Sequence, residues 1–243
     1  MPHPLPHRFI SITATGMEDD DIRSLVVLRK AHEYEVLAME IDATTFQSRC
    51  GARVCQVAYR LGIEINLRLA SRCVVDHAMV EDMRSHACSS VTVAIDGHDE
   101  AAHDSFHGGP GAFSRALRSI EQAGRLGFDI YVLSRILGPD SHLARLSTIP
   151  RWLGAKAWFI SFSAPPDMRY RGARLTIEER RVACVALSDI ADNHRLPTAI
   201  RCRDWGEACR LDPALVASLP RFHRRGGPAC ATPAVNVAEA AYA

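Results

Sequence analysis

Three histidines and four carboxylates lie within twelve residues in the middle of the chain, from position 96 to position 107. Asp96 follows an apolar run, and His98 and His103 come soon after it. Imidazole and carboxylate groups together suit divalent metals and proton transfer. We therefore expect Asp96 and His103 to be catalytic, and Asp96, His98 and His103 to be ligands of a divalent metal. The simpler alternative is a solvated loop in which Asp96 accepts backbone hydrogen bonds.

Polar side chains also follow the other apolar runs. Asp42 and Thr44 come after the second run, Ser71 after the third, and four acids at residues 18–21 after the first. In a parallel barrel the loops after the strand ends meet at one edge, where function is concentrated. The acids at 18–21 would hold a cation there, or would only complement the dipole of a first helical turn.

The elements that position these groups alternate along the chain, and the alternation predicts a parallel sheet covered by helices. The strand runs are residues 8–14, 35–41, 63–69, 90–95, 128–136, 157–162 and 197–202. The helical patterns are residues 20–32, 46–61, 76–86, 111–126, 142–153 and 176–193. No GxGxxG or Walker motif accompanies them, which disfavours nucleotide-binding open sheets. We expect an α/β fold, an incomplete parallel (βα) barrel of TIM type with six to seven strands, over residues 1–203. A C-terminal appendage would follow at 204–243.

Composition narrows the function classes. The net charge of the 243 residues is +1, which argues against a nucleic-acid partner bound by bulk charge. No apolar run is long enough for a membrane helix, and the first residues lack a secretory core, so we expect a cytoplasmic protein. The eight cysteines contain no CxxC pair, so their spacing gives no support to a zinc site.

The middle of the chain resembles the radical SAM enzymes, in particular the peptide- and cofactor-modifying branch with a SPASM or twitch extension. The similar residues are VTVAIDG at 91–97, His103-Asp104, His107-Gly108, and the Gly-Ala-Phe at 111–113. The wider resemblance runs from about residue 62 to 197. It implies S-adenosylmethionine (SAM) as a cofactor, with Asp42, Thr44, Ser71 and His107 as the cofactor-binding candidates.

The defining feature of that family is missing. The CxxxCxxC that should follow the first strand is replaced by ATGMEDDD at 14–21, so we expect no [4Fe–4S] cluster. The resemblance then implies a degenerate barrel that binds or modifies a peptide or small molecule in peptide or cofactor maturation, as an accessory to a partner enzyme. Two alternatives stay open. One is a metal-dependent TIM-barrel lyase, isomerase or hydrolase, and the other is an intact radical SAM enzyme with unusual cysteine ligands.

Overall fold

Seven parallel strands form one sheet in the computed structural model, which describes residues 9–12, 38–69, 75, 77–107, 109–138, 142–162, 175–194 and 198–200. The strands are β1 (Phe9–Ile12), β2 (Ala38–Asp42), β3 (Glu64–Leu69), β4 (Cys88–Ala94), β5 (Asp129–Arg135), β6 (Ala157–Ser161) and β7 (Thr198–Ile200). Each strand pairs with the next in the sequence. This sequential parallel order is that of a (βα) barrel and confirms the predicted α/β class, with each strand inside or beside its apolar run.

The described helices lie between these strands. They are α1 (Ala43–Phe46), α2 (Arg49–Arg60), α3 (His77–Ser85), α4 (Glu100–His107), α5 (Ala112–Arg125), α6 (Leu143–Leu146), α7 (Thr148–Trp152) and α8 (Ile177–His194). Among the helices of the described segments, none has the length and apolarity needed to cross a membrane. The predicted helix at 20–32, the acids at 18–21, Ser71 and the appendage at 204–243 lie outside the described residues.

Helix α4 corrects the sequence interpretation, which treated the whole segment after β4 as a loop. Asp99 begins the helix, since its Oδ1 accepts a hydrogen bond from the backbone N–H of Ala102 at 2.8 Å. A side-chain acceptor at this position replaces a bond that the first helical turn cannot make internally. The histidines of the segment are therefore held on a helix or just before it.

The sheet has two different faces, because side chains alternate along each strand. The outer face packs against the helices and forms the main hydrophobic core. Its strand members include Met39, Ile41, Ile65, Leu67, Val91, Val93, Val132, Trp158 and Ile160. The opposite, inner face carries Glu40, Asn66, Arg68, Ser90 and Thr92 on β2 to β4, and Tyr131, Leu133, Ala157 and Phe159 on β5 and β6. The inner face is thus polar along β2 to β4 and mainly apolar along β5 and β6.

A buried hydrogen-bonded chain joins β4, β5 and β6. Ser134 Oγ donates to the carbonyl oxygen of Ile95 and accepts from the Trp158 indole Nε1 at 2.9 Å. Trp158 and Ser134 are both fully buried. The serine hydroxyl is therefore the partner that allows the indole N–H to be buried in the core.

Replacing Ser134 with alanine should lower the free energy of unfolding by about 1–3 kcal/mol, because the buried Trp158 N–H loses its acceptor. Urea unfolding followed by tryptophan fluorescence measures the change. Ser89→Ala, at an exposed position of β4, is the matched control and should change stability by no more than about 0.5 kcal/mol. Equal effects of the two substitutions would contradict the assignment.

Candidate functional site

Asp96 lies at the centre of a charged cluster at the carboxyl ends of β4 and β5. Its Oδ1 accepts a hydrogen bond from the Arg135 backbone N–H at 2.7 Å. Its Oδ2 accepts from Arg135 Nη1 at 2.5 Å and lies 2.9 Å from His107 Nε2. The Asp96 side chain is fully buried. One side chain therefore ties together the end of β4, the end of β5 and the last turn of α4.

The charge state of Asp96 follows from these contacts. Burial by itself would raise the pKa of Asp96, since a charge loses its water. The Arg135 guanidinium, the His107 side chain and the Arg135 backbone N–H together outweigh burial and hold that pKa below its usual value. Asp96 is thus an ionised carboxylate in an ion pair with Arg135. Because both of its oxygens already accept hydrogen bonds, Asp96 is better suited to positioning Arg135 and His107 than to acting as a general base.

His103 contacts the same cluster through the Asp96 backbone and the His107 ring. The Asp96 backbone N–H donates to His103 Nδ1 at 3.1 Å, and the ring is fully buried beside His107, with 4.3 Å between ring centroids. Since Nδ1 accepts a bond, the proton of the neutral ring must be on Nε2. Within the described part of the chain this Nε2 has no hydrogen-bond partner. Burial, with a smaller effect of His107, lowers the pKa of His103 to about 4.

Gly97 and Asp104 explain why α4 and α5 sit so close to the strand end. A Cβ atom at Gly97 would lie 2.1 Å from the His103 backbone nitrogen, so only glycine allows this approach. Asp104 accepts from the backbone N–H groups of Gly111 and Phe113, at 2.5 and 2.8 Å. These bonds cap the start of α5, and together they hold the pKa of Asp104 below its usual value, with the Phe113 bond the largest cause.

The other predicted site residues take separate positions. Asp42 caps α1, accepting from the Thr45 backbone N–H at 3.0 Å and the Thr45 hydroxyl at 2.7 Å, and Thr44 is exposed beside it. His98 lies 3.2 Å from Asp99 and stacks edge-on with His142. The structure thus brings together Asp96, His103 and His107, but leaves His98 in contact with other residues.

The predicted metal site gains no support from this arrangement. Across the described segments, no three His, Cys, Asp or Glu side chains are grouped so that they could hold a metal ion. Asp96 uses both carboxylate oxygens for Arg135 and His107, and His103 uses Nδ1 for the backbone. The assignment of Asp96, His98 and His103 as metal ligands remains a prediction.

Two arginines of the inner face were not found by sequence reasoning. Arg135 ends β5, and Arg68 of β3 lies 3.5 Å from the Glu40 carboxylate of β2. The sequence feature that could have revealed them is that Glu40, Arg68 and Arg135 are charged residues inside apolar runs. Their partners come from other strands, so only the sheet register reveals the pairs.

The cysteines of the described segments do not fit an iron–sulfur cluster. Cys55 in α2, Cys184 in α8 and Cys88 at the amino end of β4 are buried. Burial raises the pKa of Cys55 to about 12 and that of Cys184 to about 11, and raises that of Cys88 as well. The fourth described cysteine, Cys50 of α2, is half-buried. Within the described residues, none of the four belongs to a group of three His, Cys, Asp or Glu side chains that could hold a metal.

Comparison with known proteins agrees with the resemblance found in the sequence. No family model matches the chain. An AdoMet-dependent heme synthase from Methanosarcina barkeri is 27 % identical over 110 residues, which are 44 % of this chain and 32 % of that protein. The chain therefore spans about a third of the length of this relative.

The solved structures agree in fold. Streptococcus suis SuiB bound to S-adenosylmethionine superposes with a TM-score of 0.55 at 10 % identity, over 79 % of this chain and 46 % of SuiB. In sequence, the chain is similar over part of its length to AdoMet-dependent heme synthases. The carboxyl transferase domain of Rhizobium etli pyruvate carboxylase superposes as well, with a TM-score of 0.54 at 11 % identity over 88 % of this chain and 38 % of that one. Superposition at such low identity therefore describes the fold alone, and the radical SAM relationship depends on the sequence match.

Substitution of Gly97 by alanine should lower the free energy of unfolding by at least about 2 kcal/mol, since the new methyl group meets backbone atoms of α4 that cannot move freely. Thermal or urea unfolding gives the value. Gly109→Ala is the control, because no atom lies within 4 Å of a Cβ built there. A fully stable Gly97→Ala protein would show that α4 does not pack on the strand end as described.

The unfolding free energy should also depend on pH through His103. The unfolded chain protonates this residue near its ordinary pKa of 6.5, whereas the folded chain does so only near 4. The free energy of unfolding is therefore unaffected by His103 titration above pH 6.5, and it falls by about 3 kcal/mol as the pH drops to 4. The difference in stability between the wild type and His103→Gln over this range measures it. An NMR titration in which the His103 ring protonates above pH 6 would contradict the result.

Proposed function

We propose that this chain is a cluster-free relative of the radical SAM enzymes that binds its ligand at the carboxyl edge of the sheet. In this proposal it serves peptide or cofactor maturation beside a catalytic partner enzyme, and SAM is one of its ligands. The supporting observation is the buried Asp96–Arg135–His107 cluster, a complete charged group at the edge where barrel proteins bind ligands.

The arrangement suits binding better than acid–base chemistry. Asp96 forms an ion pair with Arg135, and His103 is neutral, with its Nδ1 accepting a hydrogen bond from the Asp96 backbone N–H. Both Asp96 oxygens and His103 Nδ1 are therefore occupied, which leaves His103 Nε2 as the one nitrogen of that ring without a partner among the described residues. What the cluster does offer is Arg135, a rigidly held cation with a side chain that is 15 % exposed. A guanidinium fixed in this way suits recognition of a carboxylate, a group that SAM carries.

The absence of the three-cysteine motif limits what bound SAM would do. In the radical SAM enzymes that the sequence resembles, an iron–sulfur cluster supplies the electron that cleaves SAM. The sequence has no CxxxCxxC, and three of the four described cysteines, Cys55, Cys88 and Cys184, are buried. We infer that the chain holds SAM or a related molecule without cleaving it reductively.

Anaerobic reconstitution with iron and sulfide, followed by SAM titration in a calorimeter, tests both parts of the proposal. We expect no stoichiometric iron or sulfide and measurable SAM binding. Asp96→Asn should weaken SAM binding at least tenfold, or about 1.4 kcal/mol, because Arg135 loses the carboxylate that orients it. Asp82→Asn, an exposed position of α3, should bind SAM like the wild type.

Three results decide against the proposal. About four iron and four sulfide per chain would restore the intact radical SAM alternative. A wild type without SAM binding would remove SAM as the ligand. Unchanged affinity in a folded Asp96→Asn protein, verified by circular dichroism, would remove the cluster from the binding site.

A further inference from the structure

The inner face of the sheet is divided into a charged and an aromatic part, and the strand register places the two side by side. One row across the sheet runs from Arg68 on β3 through Thr92 on β4 to Tyr131 on β5 and Ala157 on β6. Adjacent strands are about 4.8 Å apart, so the Arg68 and Tyr131 backbones are separated by roughly 10 Å. A long arginine side chain can cover much of that distance.

The aromatic part is separate from the main core. Tyr131, Leu133, Ala157 and Phe159 form their own cluster, in which the Tyr131 and Phe159 ring centroids are 5.5 Å apart. Tyr131 is 7 % and Phe159 8 % exposed, whereas Val132, Trp158 and Ile160, their neighbours on the outer face, are fully buried. Both rings of the inner face thus keep a small accessible area.

Two arginines border this aromatic cluster. Arg135 follows Leu133 on the inner face of β5, and Arg68 lies in the row of Tyr131. Their side chains are 15 % and 26 % exposed, while the paired Asp96 and Glu40 side chains are 0 % and 4 % exposed. Each carboxylate is therefore buried, whereas its arginine partner remains partly exposed.

The contacts leave most of the arginine donors in need of partners. A guanidinium has five N–H donors, and Arg135 uses one of them on Asp96 within the described residues. Arg68 contributes one nitrogen to the Glu40 pair, at the longer distance of 3.5 Å. Neutralising the two buried carboxylates therefore occupies only part of each guanidinium.

We propose that the inner face binds a small carboxylate with a flat apolar body, the body lying on Tyr131 and Phe159 and the carboxylate contacting Arg135 and Arg68. This names the substrate class of the proposed ligand site and rests on the proposed function for the location of that site. Fork-shaped arginine donors match a planar carboxylate. The body of the ligand would add the burial of apolar surface.

Calorimetric titration with 2-naphthoate tests the proposal, and 2-naphthamide is the uncharged ligand of matched shape. The wild type should bind the carboxylate at least tenfold more tightly than the amide. Arg135→Gln and Arg68→Gln should each remove most of this preference, and Phe159→Ala should weaken both ligands. Arg84→Gln disrupts an exposed pair with Glu81 on α3, at 3.7 Å, and should leave both affinities unchanged.

A wild type that binds neither ligand, or both equally, would overturn the proposal. So would arginine variants that lose thermal stability but keep the full preference, since these residues would then only neutralise Glu40 and Asp96. SAM titration of the same preparations separates the two proposals. If SAM binds and naphthoate does not, the proposed function stands and this substrate class is wrong.

Discussion

The buried charge of Asp96 is the constraint on which the rest of the site depends. A carboxylate removed from water is costly unless its oxygens find cations and donors, and here these come from Arg135 and His107. Satisfying Asp96 fixes the end of β5 against that of β4, and it fixes the last turn of α4 above both. His103 and Gly97 then follow, because the Asp96 backbone N–H needs an acceptor and α4 must approach closely enough to supply it.

This dependence gives a structural account of the family resemblance. The similar residues Asp96, Gly97, His103, His107 and Asp104 are the ones that join β4, α4 and α5. They can therefore hold a barrel corner together in a chain without cluster-binding cysteines. The residues at 42–45, which differ from the family pattern, lie at the end of β2 and in α1, where Asp42 caps the helix.

How far the sequence could predict this molecule depended on the range of each interaction. The strands β2 to β6 were predictable because their apolar runs are buried in the sheet, and Gly62 and Gly127 end helices with the positive φ that favours glycine. Asp96 could be found because it follows such a run directly. Helix α4 was missed because its eight residues are mostly polar and its cap, Asp99, resembled loop composition. Arg135 and Arg68 were missed because their partners are on neighbouring strands, and the register that pairs them is a property of the folded sheet.

The inner face adds an argument about function that the outer face cannot. Replacing a buried ion pair with apolar residues of similar volume is often neutral or stabilising, so such pairs are weak evidence for stability. The outer face of the same strands is apolar, with Met39, Val91 and Ile160 in its core. Folding alone would favour apolar residues on the inner face as well. That face instead contains the pairs Glu40–Arg68 and Asp96–Arg135. The two charged pairs beside the aromatic cluster are therefore a feature of the inner face that burial of apolar surface does not explain.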